Sequence, residues 1–177
     1  MKELLDSIFG KSVTVIADGE HSHFTNKLIM ALNESGTDKN VLYFTSKQHS
    51  HVERHFSENP HLDNMMKDKK LHIISHENSP HELANAFRKT VAGNHLAVVD
   101  SLSDIITKPH ISEALYQVLS DHISNQGSTG LFIVDKNRVT SSDIAILESF
   151  TDITIDLPKG ELVGLSGNQI VKKKLPE

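Results

Sequence analysis

Short runs of β-branched and apolar residues alternate with stretches whose apolar positions recur at helical spacing, almost to the end of this chain. The strand-like runs are Ser12–Ala17, Asn40–Thr45, Leu71–Ile74, His95–Asp100 and Leu131–Asp135. The fourth reads as fully buried. Between them the pattern predicts a helix from near Lys27, a short one from His49 to Phe56, and one starting at Ser79-Pro80. In the last, Ser79 reads as N-cap, Pro80 as the first helical residue and Glu82 as the partner in a capping box. Its apolar positions Leu83, Ala84, Phe87 and Val91 repeat at helical spacing, as do Leu115, Leu119 and Ile123 in the next helix. A further helix covers roughly residues 141–149. The rhythm then changes to Asp152–Leu157, Glu161–Ser166 and Gln169–Lys174, joined by tight turns at Pro158-Lys159-Gly160 and Gly167-Asn168 that imply antiparallel hairpins. Repeated βα units closed by such a meander predict an α/β fold. Its sheet is mainly parallel and twisted, with helices on both faces and a C-terminal antiparallel meander. Residues 1–177 read as a single domain, with a βα core over 1–150 and the antiparallel strands in 151–177.

The loop after the first strand carries the main functional signal. Asp18-Gly19-Glu20-His21-Ser22-His23-Phe24-Thr25-Asn26 leads from a strand into a helix. This is the setting of a phosphate-binding loop, in which glycine-rich backbone wraps phosphates and a lysine and a hydroxyl complete the site. One glycine, Gly19, remains. Aligned on it, the positions of the last glycine, the lysine and the Ser/Thr hold Phe24, Thr25 and Asn26.

Composition narrows the field. Cysteine is absent from the 177 residues, which excludes disulfides and thiolate metal sites. A net charge of −5 argues against nucleic acid as the main partner, because phosphate neutralisation needs clustered Lys and Arg. The one basic cluster, Lys172-Lys173-Lys174, reads as a solvated strand end. With no apolar run of membrane-spanning length and no signal-peptide pattern, a cytoplasmic location without membrane contact is expected.

Several landmarks in order resemble the KaiC-like branch of the RecA superfamily of ATPases. Leu5-Asp6-Ser7-Ile8-Phe9-Gly10-Lys11-Ser12-Val13-Thr14-Val15-Ile16 looks like that family's lead-in and first strand. Val41-Leu42-Tyr43-Phe44-Thr45 resembles its second strand. Ala97-Val98-Val99-Asp100-Ser101-Leu102-Ser103 is similar to its Walker B segment, and the helix–strand–hairpin end from Asp143 through Asp156 to Lys174 also matches. The resemblance implies a single RecA-like domain of P-loop-NTPase type. It further implies a nucleotide site at Gly19, Thr25, Asn26 and Asp100, ring-forming contacts, and an archaeal source.

The departures decide what such a site can do. In the family, the loop lysine neutralises phosphate and the hydroxyl after it binds Mg²⁺. Thr25 has no charge, Asn26 is an uncommon magnesium ligand, and Lys27 is rotated by about 100° from the lysine slot. Asp18 and Glu20 put negative charge where phosphate oxygens would sit. After the second strand, where the resemblance implies a water-activating glutamate, stand Ser46-Lys47-Gln48. Electrostatic stabilisation and nucleophile positioning, the protein's main contributions to phosphoryl transfer, are both depleted. An unrelated doubly wound fold, whose strand-ending Asp merely caps a turn, is the plainer alternative.

Histidine is the second anomaly, with 12 in the chain. His21 and His23 lie in the degenerate loop, and His51 and His55 sit one helical turn apart after the second strand. His21, His23 and Asp100 form a candidate metal site for Zn²⁺ or another divalent ion, at the sheet edge where ligands bind in such folds. Solvated surface histidines are the plainer reading. Ser101 and Ser103 read as loop residues rather than nucleophiles, and Asn59-Pro60 as a turn.

The expected function is therefore that of a catalytically inactive KaiC/RecA-like pseudo-ATPase. It would act as a regulator or scaffold, binding an active KaiC-like paralogue or itself as a homo-oligomer, with no resident cofactor. Two alternatives stay open: a ligand or metal sensor in the former nucleotide cleft, and a weak ATP/Mg²⁺ binder with residual ATPase activity.

Overall fold

The computed structural model describes residues 6–18, 26, 27, 29–31, 39–106, 109–157, 161–166 and 169–174. Eight strands form one sheet: β1 (Ser12–Ala17), β2 (Val41–Thr45), β3 (Leu71–Ser75), β4 (Leu96–Asp100), β5 (Thr129–Asp135), β6 (Ile153–Asp156), β7 (Glu161–Ser166) and β8 (Gln169–Lys174). Their order is β3-β2-β4-β5-β1-β6-β7-β8. The first six in space run parallel, and β7 and β8 return antiparallel; the connecting residues 158–160 and 167–168, read as tight turns from sequence, lie outside the described residues. Helices α1 (His49–Ser57), α2 (Pro60–Lys67), α3 (Pro80–Thr90), α4 (Pro109–Gln126) and α5 (Ser141–Phe150) connect the strands. Residues 26, 27 and 29–31 are also helical.

Two apolar layers sandwich the sheet. On the first face Val15, Tyr43 and Val98 pack against Val52 and Phe56 of α1 and Leu62 and Met65 of α2. On the second, Phe44, Val99 and Phe132 pack against Leu83 and Phe87 of α3 and Leu119 and Ile123 of α4. Phe87 lies 5.0 Å from the Phe44 ring and 6.4 Å from that of Phe132. Truncating so central a ring costs about 3–5 kcal/mol. Strands buried on both faces cannot alternate polar and apolar residues, which is why these runs read as nearly continuous hydrophobic stretches.

Three local expectations are corrected. The turn at Asn59-Pro60 starts helix α2: the Asn59 side chain accepts from the His61 and Leu62 N–H groups at 3.0 and 3.4 Å, and Pro60 takes the first helical position. Ser79 does stand at the N-cap of α3, but its side chain makes no capping bond. The reciprocal capping box forms instead at α5. There Thr140 accepts from the Asp143 N–H, and the Asp143 carboxylate accepts from the Thr140 N–H at 2.8 Å. Strand β5 begins at Thr129, two residues before the run Leu131–Asp135, so Gly130 belongs to the sheet. A Cβ at Gly130 would lie 2.8 Å from Ile123 Cγ1, so the missing side chain lets α4 approach the strand.

Candidate functional site

In an open parallel sheet, ligands bind beyond the carboxyl ends of the strands. Here Asp18, Ser46, Asp100, Asp135 and Asp156 are at or just past those ends. Of the residues implicated from sequence, Asp100 ends β4 as expected. Asn26 is half-buried in the helical residues after β1. Gly19, His21, His23 and Thr25 lie outside the described residues.

Asp100 faces the first layer and is almost fully buried, with 3% of its surface exposed. Its neighbour is decided by register. Strand β2 pairs with β4 so that Tyr43 lies beside Val98 and Thr45 beside Asp100, placing the Tyr43 and Asp100 side chains on one face. The Tyr43 hydroxyl donates to Asp100 Oδ2. Burial, followed by the negative charge of Asp100 and this hydrogen bond, raises the Tyr43 pKa well above the ordinary phenol range. The ring is held in turn by Phe56, edge to face at 4.9 Å.

Beyond Asp100 the chain folds into a tight 3₁₀ turn over Leu102–Asp104. Ser101 and Ser103 are both buried, and their hydroxyls build the turn. Ser101 Oγ accepts from the Ser103 N–H at 3.1 Å, and Ser103 Oγ accepts from the Asp135 N–H at 2.7 Å. The turn delivers Asp104 to the end of β2. There Ser46 Oγ donates to Asp104 Oδ2 at 3.0 Å, and Arg138, from the loop after β5, pairs with Asp104 Oδ1. Lys136 from the same loop lies 3.5 Å from Asp18 at the exit of β1. These contacts were not anticipated from sequence. Ser46, Asp104 and Arg138 come from three connections, and no local pattern links them.

As a donor set for a magnesium nucleotide, the described groups fit poorly. Asp100, which the resemblance places at the metal, is buried and accepts a protein hydroxyl. Two nearby cations, Lys136 and Arg138, face Asp18 and Asp104. Carboxylates at this edge would repel phosphate oxygens.

Four of the described histidines have separate partners. His51 Nδ1 lies 3.5 Å from Arg54, His55 lies 3.6 Å from Glu58, and His81 lies 2.9 Å from Asn85. His122 Nε2 is 2.7 Å from the Val91 carbonyl, against the Phe87 ring. Among the described residues no three His, Asp or Glu side chains come together in a way that could hold a metal ion.

Neither the protein-family models nor the curated proteins compared with this sequence match it. Among solved structures, the chain is similar to the flagellar accessory protein FlaH from Methanocaldococcus jannaschii. The TM-score is 0.65 over 94% of this chain and 78% of that one, at 11% sequence identity. The fold is RecA-like. At such low identity the likeness concerns architecture: a six-stranded parallel sheet between helices. No described helix is long and apolar enough to cross a membrane.

Proposed function

We propose that this protein is a catalytically inactive RecA-like protein, a pseudo-ATPase that serves as a regulatory or scaffold component through protein–protein contacts. The observation that carries this reading is the Tyr43–Asp100 hydrogen bond. A carboxylate that serves magnesium needs its oxygens turned to the ion or to the ion's waters, whereas Oδ2 of this buried group accepts the Tyr43 hydroxyl. Thr25, uncharged at the position of the lysine, and Asn26, without a hydroxyl at the position of the Ser/Thr, support the same reading. A RecA-like sheet retained without its phosphate chemistry keeps a rigid surface for partners. The likeness to a flagellar accessory protein suggests an assembly for motility or signalling as its setting. Phosphate release from Mg-ATP tests the proposal. The full chain and its Asp100→Ala variant should both stay at the buffer rate, and turnover lost on that substitution would refute it.

A further inference from the structure

Three histidines stand toward the amino end of the second apolar layer, each from a different element. His72 has the parity of Ile74 in β3, and His95, just before β4, has that of Ala97, so both lie on the second face. His122 of α4 meets the Phe87 ring edge to face and donates from Nε2 to the Val91 carbonyl at 2.7 Å. That bond is one of several that tie residues 91–95, the connection from α3 to β4, to α4 and β5. The Gly93 N–H donates to Gln126 Oε1 at 3.2 Å, and the Gly93 carbonyl accepts from Ser128 Oγ and from the His95 N–H. Gly93 makes the bend, with φ at 78°. The His95 side chain is half-buried, and its Nδ1 has essentially no exposed surface and no hydrogen-bond partner among the described residues.

This setting treats the two protonation states of His95 unequally. A neutral ring protonated on Nε2 leaves only a lone pair at the buried nitrogen. The imidazolium puts an N–H and a charge there with nothing to accept it. The neighbouring elements bring bases to this corner. They are His72 of β3, His122 of α4, Arg88 and Lys89 in the last turn of α3, and Lys70 and Lys39 just before β3 and β2. Lys39 is turned to the Phe9 ring and to Thr129. Among the acids of these elements, Asp121 is exposed and accepts from Gln117, and Glu82, Glu113 and Asp135 lie toward the opposite ends. Burial, followed by repulsion from His72, lowers the His95 pKa below the ordinary imidazole range. We propose that the connection between α3 and β4 is an acid-released latch: it is closed while His95 is neutral, and proton uptake there frees residues 91–95 from α4 and β5. Because the folded-state value lies below the unfolded one, the stabilisation is complete above the ordinary imidazole range and is lost as pH falls through that range toward the lowered value. Release would uncover Val91, which closes this end of the second layer. The latch sits at the amino ends of the strands, opposite Asp100, so it stands or falls independently of the pseudo-ATPase reading.

Amide hydrogen exchange of the full chain, read residue by residue by NMR together with the histidine titrations, tests the latch. The His95 ring should titrate below the ordinary imidazole range. Protection of the Gly93 and His95 amides, relative to the intrinsic rate, should fall roughly tenfold between about pH 7.5 and about pH 5.5, while Val98 and Ile133 keep theirs. His72→Gln should raise the His95 midpoint and reduce the loss, because it removes a like charge. His95→Asn, a neutral polar side chain, should remove the pH dependence. If His95→Asn fails to fold, the substitution of exposed His72 decides alone. A His95 ring titrating in the ordinary range, or a midpoint indifferent to His72→Gln, would overturn the inference. So would protection at residues 91–95 that acid leaves unchanged, or a loss spread evenly over the sheet.

Discussion

Asp100 and Asp104 stand four residues apart at the same edge of the sheet and are held in opposite ways. Asp100 is inside the first apolar layer, bound by a phenol that the core itself fixes. Asp104 is on the rim, bound by Ser46 and by an arginine that is 55% exposed. The first contact is sheltered from solvent and ions, and the second exchanges with both. Four residues of chain thus separate a carboxylate that is part of the core from one whose partner is an exposed cation.

Tyr43→Phe should break the comparison most severely. It removes a hydrogen bond from a buried carboxylate while preserving the ring, at an expected cost of about 1–3 kcal/mol in chemical denaturation. The same substitution has a pH signature. Because the folded-state pKa of Tyr43 is raised above its unfolded value, its contribution is fully present below the ordinary phenol range and is lost as pH rises through the raised value. Wild-type stability should fall on the alkaline side more steeply than that of Tyr43→Phe. Equal slopes would mean that Asp100 does not hold this proton.

The rim pair should respond less. Arg138→Ala and Asp104→Asn are each expected to cost about 1 kcal/mol or less, and the Arg138 effect should shrink as salt is added. A salt-independent loss as large as that of Tyr43→Phe would show that Asp104 belongs to the buried system, and the contrast would collapse. Smallest of all is Lys136→Ala. Its partner Asp18 is about half exposed, so the change in stability should stay within about 0.5 kcal/mol.

The fold was largely legible because its signals are local or periodic. Buried parallel strands announce themselves as apolar runs, and the bounds of β1, β7 and β8 follow from pattern alone. Helix α2 was not legible. It is short, and Asn59-Pro60 signals a turn and a helix start equally well until the Asn59 side chain is seen to accept from the first turn. Gly130 fell outside the strand-like run Leu131–Asp135 because its reason, the approach of Ile123, lies in another element. The site was legible only at its anchor. Asp100 could be named from the segment around it, but Tyr43 is 57 residues away and meets it through a strand register that no sequence pattern specifies. Ser46, Asp104 and Arg138 were hidden for the same reason.

Under the proposed reading the sheet edge at Asp100 takes no magnesium nucleotide, and calorimetric titration of the full chain with Mg-ATP tests it most directly, with Asp100→Ala alongside. The expected result is no saturable heat up to about 1 mM nucleotide in either protein. Saturable binding by the wild-type chain that disappears in Asp100→Ala would contradict it, because Asp100 would then be reaching a ligand from beneath Tyr43.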